Sequence, residues 1–171
     1  MESIKELNNE IQKCMDNNQI YPALFMSLTI PDACGSIKYP ELKGSNFTGA
    51  RYKKWFLAYV DPILNPLSYT KFGKPDDDYS FNSEVCYKLR CSLLHSAELD
   101  IGEDIKFDDF DIDFSPGVEG VLFRSDDKLM PVREGDLVTY KIKKIMRVRA
   151  YYLIKCILDS CNNFIKELES K

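Results

Sequence analysis

The chain has 171 residues, which is close to one domain at a prior of about 150 residues per domain. With 44% hydrophobic and 29% charged residues it can bury a core, which argues against intrinsic disorder. The net charge of −4 excludes a uniformly basic nucleic-acid coat but leaves room for a local basic patch. No run approaches the roughly 20 apolar residues of a membrane helix, and no secretory signal pattern opens the sequence. We therefore expect a cytoplasmic protein with no membrane contact.

The number and spacing of the cysteines, together with the single histidine, limit the metal and redox chemistry that the chain can support. The six cysteines fall within apolar helical patterns, and none forms a Cys-x-x-Cys pair: Cys14, Cys34, Cys86, Cys91, Cys156 and Cys161. This distribution predicts reduced, buried thiols rather than a disulfide framework. With one histidine, a structural zinc site is not expected, and we predict no metal and no cofactor.

The N-terminal third predicts helices. A first helix is indicated by apolar residues at helical spacing and ends at Asn17–Asn18. A second, nearly all apolar, is predicted from 19 to 30, with Pro31 ending or kinking it. Residues 35–48 are rich in Gly, Pro, Ser and Asn and predict a loop, with Thr48 as a helix N-cap.

The middle of the chain predicts two more helices around a loop. The third helix carries an aromatic stripe, which we assign to the core: Tyr52, Trp55, Phe56, Tyr59 and Ile63. The proline- and aspartate-rich stretch from Pro62 to Asp78 predicts an exposed loop. A fourth helix begins near Asn82 or Ser83 and runs to Ser96.

Residues 100–142 change character and predict a small β-hairpin insertion, too small to hold a core alone. Apolar and acidic residues alternate over 109–114, which indicates a strand. Further strands are predicted at 118–123 and 137–142, with turns at 116–117 and 125–127. The last helix is predicted from 143 to 169. The fold class is therefore mostly α: a single helical-bundle domain over residues 1–171, with a β insertion before the C-terminal helix.

The fourth helix has two apolar faces, which is typical of a central helix or of one that packs against another chain. At about 100° per residue, Val85, Cys86, Leu89 and Leu93 form one face and Tyr87, Cys91 and Leu94 the other. Arg90 and His95 border the second face from opposite sides. A two-fold dimer through this face would bring two arginines and two histidines together. Arginine can hold a phosphate, histidine can exchange protons near neutral pH, and RNA supplies its own 2′-OH nucleophile.

The segment Arg90-Cys91-Ser92-Leu93-Leu94-His95 resembles the Arg-x4-6-His motif of the HEPN superfamily. Residues 30–40, 49–56 and 85–96 also resemble an uncharacterised bacterial HEPN-like subgroup. The resemblance covers roughly residues 20–96 and the final helix. It implies a dimeric helical bundle and, in many members, metal-independent RNase activity in toxin–antitoxin, abortive-infection or CRISPR systems; other members only bind. Active members usually carry a polar residue after the arginine, where this chain has Cys91.

Other interpretations of the same residues stay open. Arg90 could form an ordinary salt bridge to Glu84 or to the acidic segment 98–113, and His95 could interact with the helix dipole. Glu84 is a supporting catalytic candidate. A Cys91–His95 dyad lacks a visible oxyanion donor, so a small buried hydrophobic role suits Cys91 better.

Two charged stretches lie in the C-terminal half of the chain. Five cations fall in nine residues: Lys141, Lys143, Lys144, Arg147 and Arg149. Lys143, Lys144 and Arg147 are predicted on one helical side and, with Lys141, are the candidate RNA-binding residues. The alternative is a solvated face that offsets the acidic segment. Asp109, Asp111 and Asp113 begin like a calcium loop, but Phe114 stands where glycine is needed, so a solvated strand face is favoured.

These observations predict a metal-independent endoribonuclease or RNA-binding protein of a defence or toxin–antitoxin type, with RNA and an antitoxin as possible partners. It would act as a homodimer, with Arg90 on the phosphate and His95 as general acid or base. The alternative is a non-enzymatic dimeric interaction module with the same fold.

Overall fold

The computed structural model describes residues 2–65, 81–97, 109–115, 123–134 and 137–170. This part of the chain is mostly helical, with one small β-sheet. The helices are α1 (Glu2–Asp16), α2 (Ile20–Ser27), α3 (Ile30–Lys38), α4 (Thr48–Trp55), α5 (Asp61–Leu64), α6 (Ser83–Ser96) and α7 (Ala150–Glu169). The strands are β1 (Asp109–Asp113), β2 (Phe123–Glu134) and β3 (Leu137–Arg149).

The break after the first helix is confirmed, but the second predicted helix is divided in two. Asn18 takes a left-handed conformation with φ of 56°, which ends the path of α1. Pro31 does not end a helix: it lies in the first turn of α3, where its missing N–H is not needed for a helical hydrogen bond. Residues 35–38, predicted as loop, continue α3.

The aromatic stripe of the third predicted helix lies in the core, as expected. The chain is helical from Thr48 to Leu64, because a π-helical stretch at Phe56–Val60 joins α4 to α5. Thr48 is the first residue of α4 and makes no side-chain cap. Tyr52, Trp55 and Phe56 are fully buried. Pro62 belongs to α5 rather than to a loop, and the rest of the predicted loop, 66–80, lies outside the described residues.

Helix α6 begins where the sequence predicts, because Asn82 caps it. The Oδ1 atom of Asn82 accepts hydrogen bonds from the backbone N–H groups of Glu84 and Val85, at 3.0 and 3.1 Å. These donors have no partner inside the helix, so the cap fixes the first residue of α6. The helix ends at Ala97, which adopts a left-handed conformation with φ of 57°.

The β element is a three-stranded mixed sheet in the order β1-β3-β2, larger than the predicted hairpin. Strand β3 pairs antiparallel with β2 and parallel with β1. The strand predicted at 109–114 is confirmed, and so is the one at 137–142. The turn predicted at 125–127 is wrong, because these residues pair with β3 along a continuous β2. Residues 116–122 lie outside the described part.

The boundary between β3 and α7 also differs from the prediction. Residues 143–149, predicted as the start of the last helix, belong to β3, and α7 begins at Ala150 with no intervening loop. Met146 is buried as predicted, but it enters the core from the strand. From Ala150 onward the predicted apolar stripe is confirmed, and α7 contributes more buried residues than any other described element.

Candidate functional site

The outer face of α6 carries the residues singled out from the sequence. Its inner face is buried as predicted, with Val85, Cys86, Leu89 and Leu93 in the core. On the outer face Tyr87, Cys91 and Leu94 are half-buried. Helix α6 therefore has one face in the bundle and a second face that the described residues cover only in part.

Arg90 lies beside this outer face, and the described residues pair its guanidinium only in part. The side chain is half-buried, and its Nε atom is shielded from solvent without a hydrogen-bond acceptor among the described residues. Its Nη1 atom contacts the Cys91 sulfur at 3.9 Å, a weak acceptor. A buried charged donor that lacks a strong acceptor is costly, so this geometry favours the arrival of an anion.

The surroundings of Arg90 are tyrosine rings and thiols. Burial raises the pKa of Tyr52 and of Tyr87, and in both cases the nearby charge of Arg90 acts in the opposite direction. The two rings pack with centroids 5.2 Å apart. Asp32, whose charge also reaches Tyr87, is itself paired with Arg51 at 2.6 Å. The tyrosine hydroxyls near Arg90 are therefore held in their neutral form and do not neutralise it.

His95 lies in the last turn of α6 and is exposed. Five residues of helix separate it from Arg90, which corresponds to about 140° around the axis and about 7.5 Å along it. The two side chains thus border the outer face from opposite sides, as the helical projection predicts. The exposed position also suits an interaction with the helix dipole, so that interpretation stays open.

The structure does not place Glu84 beside His95, and Glu84 contacts a different residue from Arg90. It lies in the first turn of α6 and accepts a hydrogen bond from Lys53 Nζ at 2.8 Å. Eleven residues separate Glu84 from His95, which is about 16 Å along the helix axis. The predicted alternative of an Arg90–Glu84 salt bridge is therefore not the contact that Glu84 makes. Of the acidic segment 98–113, the other predicted partner of Arg90, residues 98–108 lie outside the described residues.

The predicted basic track does not lie on one helical side, because its residues belong to β3. Lys141, Lys143, Lys144, Arg147 and Arg149 are all residues of this strand. Arg147 Nε donates to Asp111 Oδ2 at 2.9 Å across the β1–β3 ladder. Arg149 approaches Asp113 at 4.0 Å in the same way. At this end of β3 the cations offset acidic residues, which was the alternative to an RNA-binding track.

The acidic strand β1 and the six cysteines are the remaining groups that the sequence offers for metal or redox chemistry. A hydrogen bond from Ser115 lowers the pKa of Asp113, so this carboxylate stays charged beside Arg149. Within the described ranges, no group of three or more His, Cys, Asp or Glu side chains is placed to hold a metal ion. All six cysteines are free thiols, and four of them are buried.

A polar cavity that the sequence did not lead us to expect lies between α1 and α7, lined by Asn8 and Asn162 among others. The signal was present: Asn8 stands four residues after Ile4 and three before Ile11, inside the apolar stripe of α1, and it is buried there. A carboxamide on a core-facing helical position requires hydrogen-bond partners, and that requirement points to the neighbouring helix.

No protein-family model matches the chain, and comparison with the curated proteins and with the solved structures gives no match either. Among the helices that the structure describes, none has the length and apolar character needed to cross a membrane.

Proposed function

We propose that the protein is a metal-independent endoribonuclease or RNA-binding protein of a defence or toxin–antitoxin type that acts as a homodimer through α6. The observation that carries the proposal is Arg90, whose buried Nε has no acceptor among the described residues. An RNA phosphate supplies a strong, charge-assisted acceptor for such a guanidinium. The resemblance of residues 90–95 to the HEPN motif points to the same ligand.

Dimerisation would use the half-buried outer face of α6. In a two-fold dimer the same face of each helix packs on its partner, so Tyr87, Cys91 and Leu94 would lose their remaining exposure. Arg90 and His95 border this face and would therefore line the seam from both protomers. The two Arg90 side chains and the two His95 side chains would then flank one RNA strand in a shared cleft.

The reaction that this arrangement can support is transesterification of RNA. His95 of one protomer would take the proton of the 2′-OH, and that oxygen would attack the adjacent phosphorus. Arg90 would stabilise the added negative charge on the non-bridging oxygens. The bond from phosphorus to the 5′-oxygen would break, and the second histidine would protonate the leaving oxygen. The products are a 2′,3′-cyclic phosphate and a 5′-hydroxyl.

The alternative function is a non-enzymatic dimeric interaction module. The observation that favours it is Cys91, a weak hydrogen-bond partner beside Arg90 where active members of the resembled superfamily usually carry a stronger polar group. In this case the outer face of α6 would dimerise or bind a protein partner, such as an antitoxin, without cleaving RNA.

Cleavage of a mixed single-stranded RNA in excess EDTA tests the proposal. The parent is compared with Arg90→Ala and His95→Ala, and with Lys88→Ala as a control that removes a different cation from the same helix. Circular dichroism and sedimentation first establish that each variant has the parent's fold and oligomeric state. Cleavage by the parent and Lys88→Ala that is lost in the other two supports the nuclease.

The remaining outcomes separate the alternatives. A dimeric parent that binds RNA through Arg90 without cleaving it supports the RNA-binding form of the proposal. A dimer that neither binds nor cleaves RNA supports the interaction module. Cleavage that survives both substitutions contradicts the assignment of Arg90 and His95.

A further inference from the structure

Two cysteines that are far apart in the sequence meet in the core, where α3 lies against the middle of α7. The sulfurs of Cys34 and Cys161, the core thiol pair, lie 4.0 Å apart and share a hydrogen bond. Both side chains are fully buried, and both are free thiols. The sulfurs of a disulfide are about 2 Å closer than this contact, so the two helices already hold the pair near bonding distance.

Two other buried cysteines have partners with which no disulfide can form. The sulfur of Cys86 lies 3.3 Å from the hydroxyl of Tyr52. On α7, the thiol of Cys156 shares a hydrogen bond with the side chain of Tyr152, one turn away. The core thiol pair differs from these because each of its sulfurs faces another sulfur.

Burial determines when the core thiol pair can react. Thiol–disulfide exchange requires a thiolate to reach the sulfur of a dissolved disulfide. In the folded chain neither sulfur is exposed, and the hydrogen bond to Cys161 together with burial raises the pKa of Cys34. In the unfolded chain both thiols are exposed and ionise as ordinary cysteines. The oxidation state of the pair is therefore set while the chain folds.

We propose that the core thiol pair is an oxidation site: when the chain folds in the presence of a small disulfide such as oxidised glutathione, Cys34 and Cys161 form an intramolecular disulfide that joins α3 to α7. The packing of α3 on α7 selects this pair among the six cysteines, because folding brings these two sulfurs into contact. The site is separate from the outer face of α6, and it does not depend on RNA cleavage there.

The reaction is two successive exchanges. The thiolate of one cysteine attacks a sulfur of oxidised glutathione, so that a mixed disulfide forms and a glutathione thiolate leaves. The thiolate of the second cysteine then attacks the protein sulfur of the mixed disulfide, and a second glutathione thiolate leaves. The two protein thiols are oxidised, oxidised glutathione is reduced to two glutathione molecules, and these take up the two protons that the protein thiols release.

The disulfide would make the fold more resistant to unfolding. It links residues 127 positions apart, and a cross-link that closes a long loop restricts the unfolded chain more than one that closes a short loop. Because both sulfurs are buried, a dissolved reductant reaches the bond only when α3 and α7 separate. The oxidised state would therefore persist after the oxidant is removed.

Refolding of the full chain from urea, in buffers with defined ratios of reduced to oxidised glutathione, tests the proposal. Free thiols are then alkylated in denaturant, and disulfide-linked peptides are identified by mass spectrometry without reduction. Digestion after acidic residues places Cys34 on a different peptide from Cys14, and Cys161 on a different peptide from Cys156. The cross-link between Cys34 and Cys161 should be the main intramolecular disulfide. Its absence in excess oxidised glutathione, or a mixture of pairings without preference, would overturn the proposal.

Variants assign the cross-link and its effect. Cys34→Ala and Cys161→Ala should each abolish it, whereas Cys156→Ala, which removes another buried thiol of α7, should retain it. The urea midpoint of the oxidised parent should exceed that of the reduced parent by about 1–2 M, and Cys34→Ala should show no such difference. A cross-linked parent with an unchanged or lower midpoint would contradict a disulfide that fits the folded packing.

Reduction of the oxidised protein by dithiothreitol checks the persistence of the bond. The folded chain should lose the cross-link slowly, and the rate should increase at least tenfold as urea approaches the unfolding midpoint. Equally fast reduction with and without urea would show that the bond is exposed and would contradict its place between α3 and α7.

Discussion

A β-carbon built on Gly35 would lie 2.8 Å from the backbone carbonyl oxygen of Arg51. Helices α3 and α4 therefore approach each other more closely at this point than any residue with a side chain permits. The neighbouring ion pair between Arg51 and Asp32, with both side chains largely covered, joins the same two helices. Gly35 sets the distance between them, and the ion pair holds the arginine against α3.

Gly35→Ala should destabilise the protein by about 1–3 kcal/mol, because the added methyl group meets a backbone oxygen that cannot rotate away. Urea denaturation followed by circular dichroism measures the free energy of unfolding. Ser36→Ala, at the next and exposed position of α3, is the matched control and should change it by less than about 0.5 kcal/mol. Equal stability of Gly35→Ala and the parent would mean that α3 and α4 separate at no cost.

Asn82→Ala should cost about 1 kcal/mol of stability, because the first-turn N–H groups of Glu84 and Val85 lose their acceptor. Asn82→Asp keeps an oxygen in the same place and should retain most of the stability. Thermal and urea denaturation of both variants check this. If the aspartate variant is as unstable as the alanine variant, the amide group has a role other than capping.

The stability of the protein should fall in alkaline solution. Burial raises the pKa of Cys86 to about 12, whereas an unfolded cysteine ionises near 8.5. Between these values the unfolded chain has released the proton and the folded chain has not. The free energy of unfolding therefore decreases as pH rises through this range, by up to about 1.4 kcal/mol per pH unit from this thiol.

Cys86→Ala isolates that contribution. The variant loses stability at every pH because it leaves a cavity, but its slope between pH 9 and 10.5 should be shallower than the parent's by about 1 kcal/mol per unit. Urea denaturation at matched pH values gives both slopes. Parallel slopes would show that Cys86 ionises equally in the two states.

Cys14 should be the first cysteine to react with iodoacetamide in the folded protein, since four cysteines are buried in the core and the proposed dimer covers the half-buried Cys91. Peptide mass spectrometry of timed samples identifies the order. Dilution that dissociates the dimer should speed the labelling of Cys91 on α6 and leave that of Cys14 on α1 unchanged. Labelling of Cys91 as fast as that of Cys14 at every protein concentration would argue against a dimer through the outer face of α6.

The buried faces of the helices could be predicted from the sequence, because apolar residues at helical spacing mark the side of a helix that packs into the core. The stripes of α1, α6 and the main part of α7 fall in the core as their spacing indicates. The positions of Arg90 and His95 around α6 follow from the same arithmetic. What that arithmetic could not supply is the neighbourhood of Arg90, since Tyr52 and its ring contact with Tyr87 come from the packing of α4.

The boundary between β3 and α7 could not be predicted for a different reason. Met146 and Ala150 are four residues apart, as on one face of a helix, while Met146 and Val148 alternate as on a strand. The spacing of a helix and the alternation of a strand therefore both fit these residues. Pairing with β1 and β2 decides in favour of the strand, and those partners lie far away in the sequence. Pro31 shows a similar ambiguity, because proline is accepted in the first turn of a helix as readily as it ends one.

The order of the strands in the sheet has a consequence for the synthesis of the protein. Strand β3 is the central strand and pairs with both β1 and β2, yet it follows both of them in the chain. During translation the two outer strands therefore leave the ribosome before the strand that joins them. Since α7 follows β3 without a loop, the sheet and the most buried helix are completed by one late step, and a nascent chain that stops before residue 137 has neither.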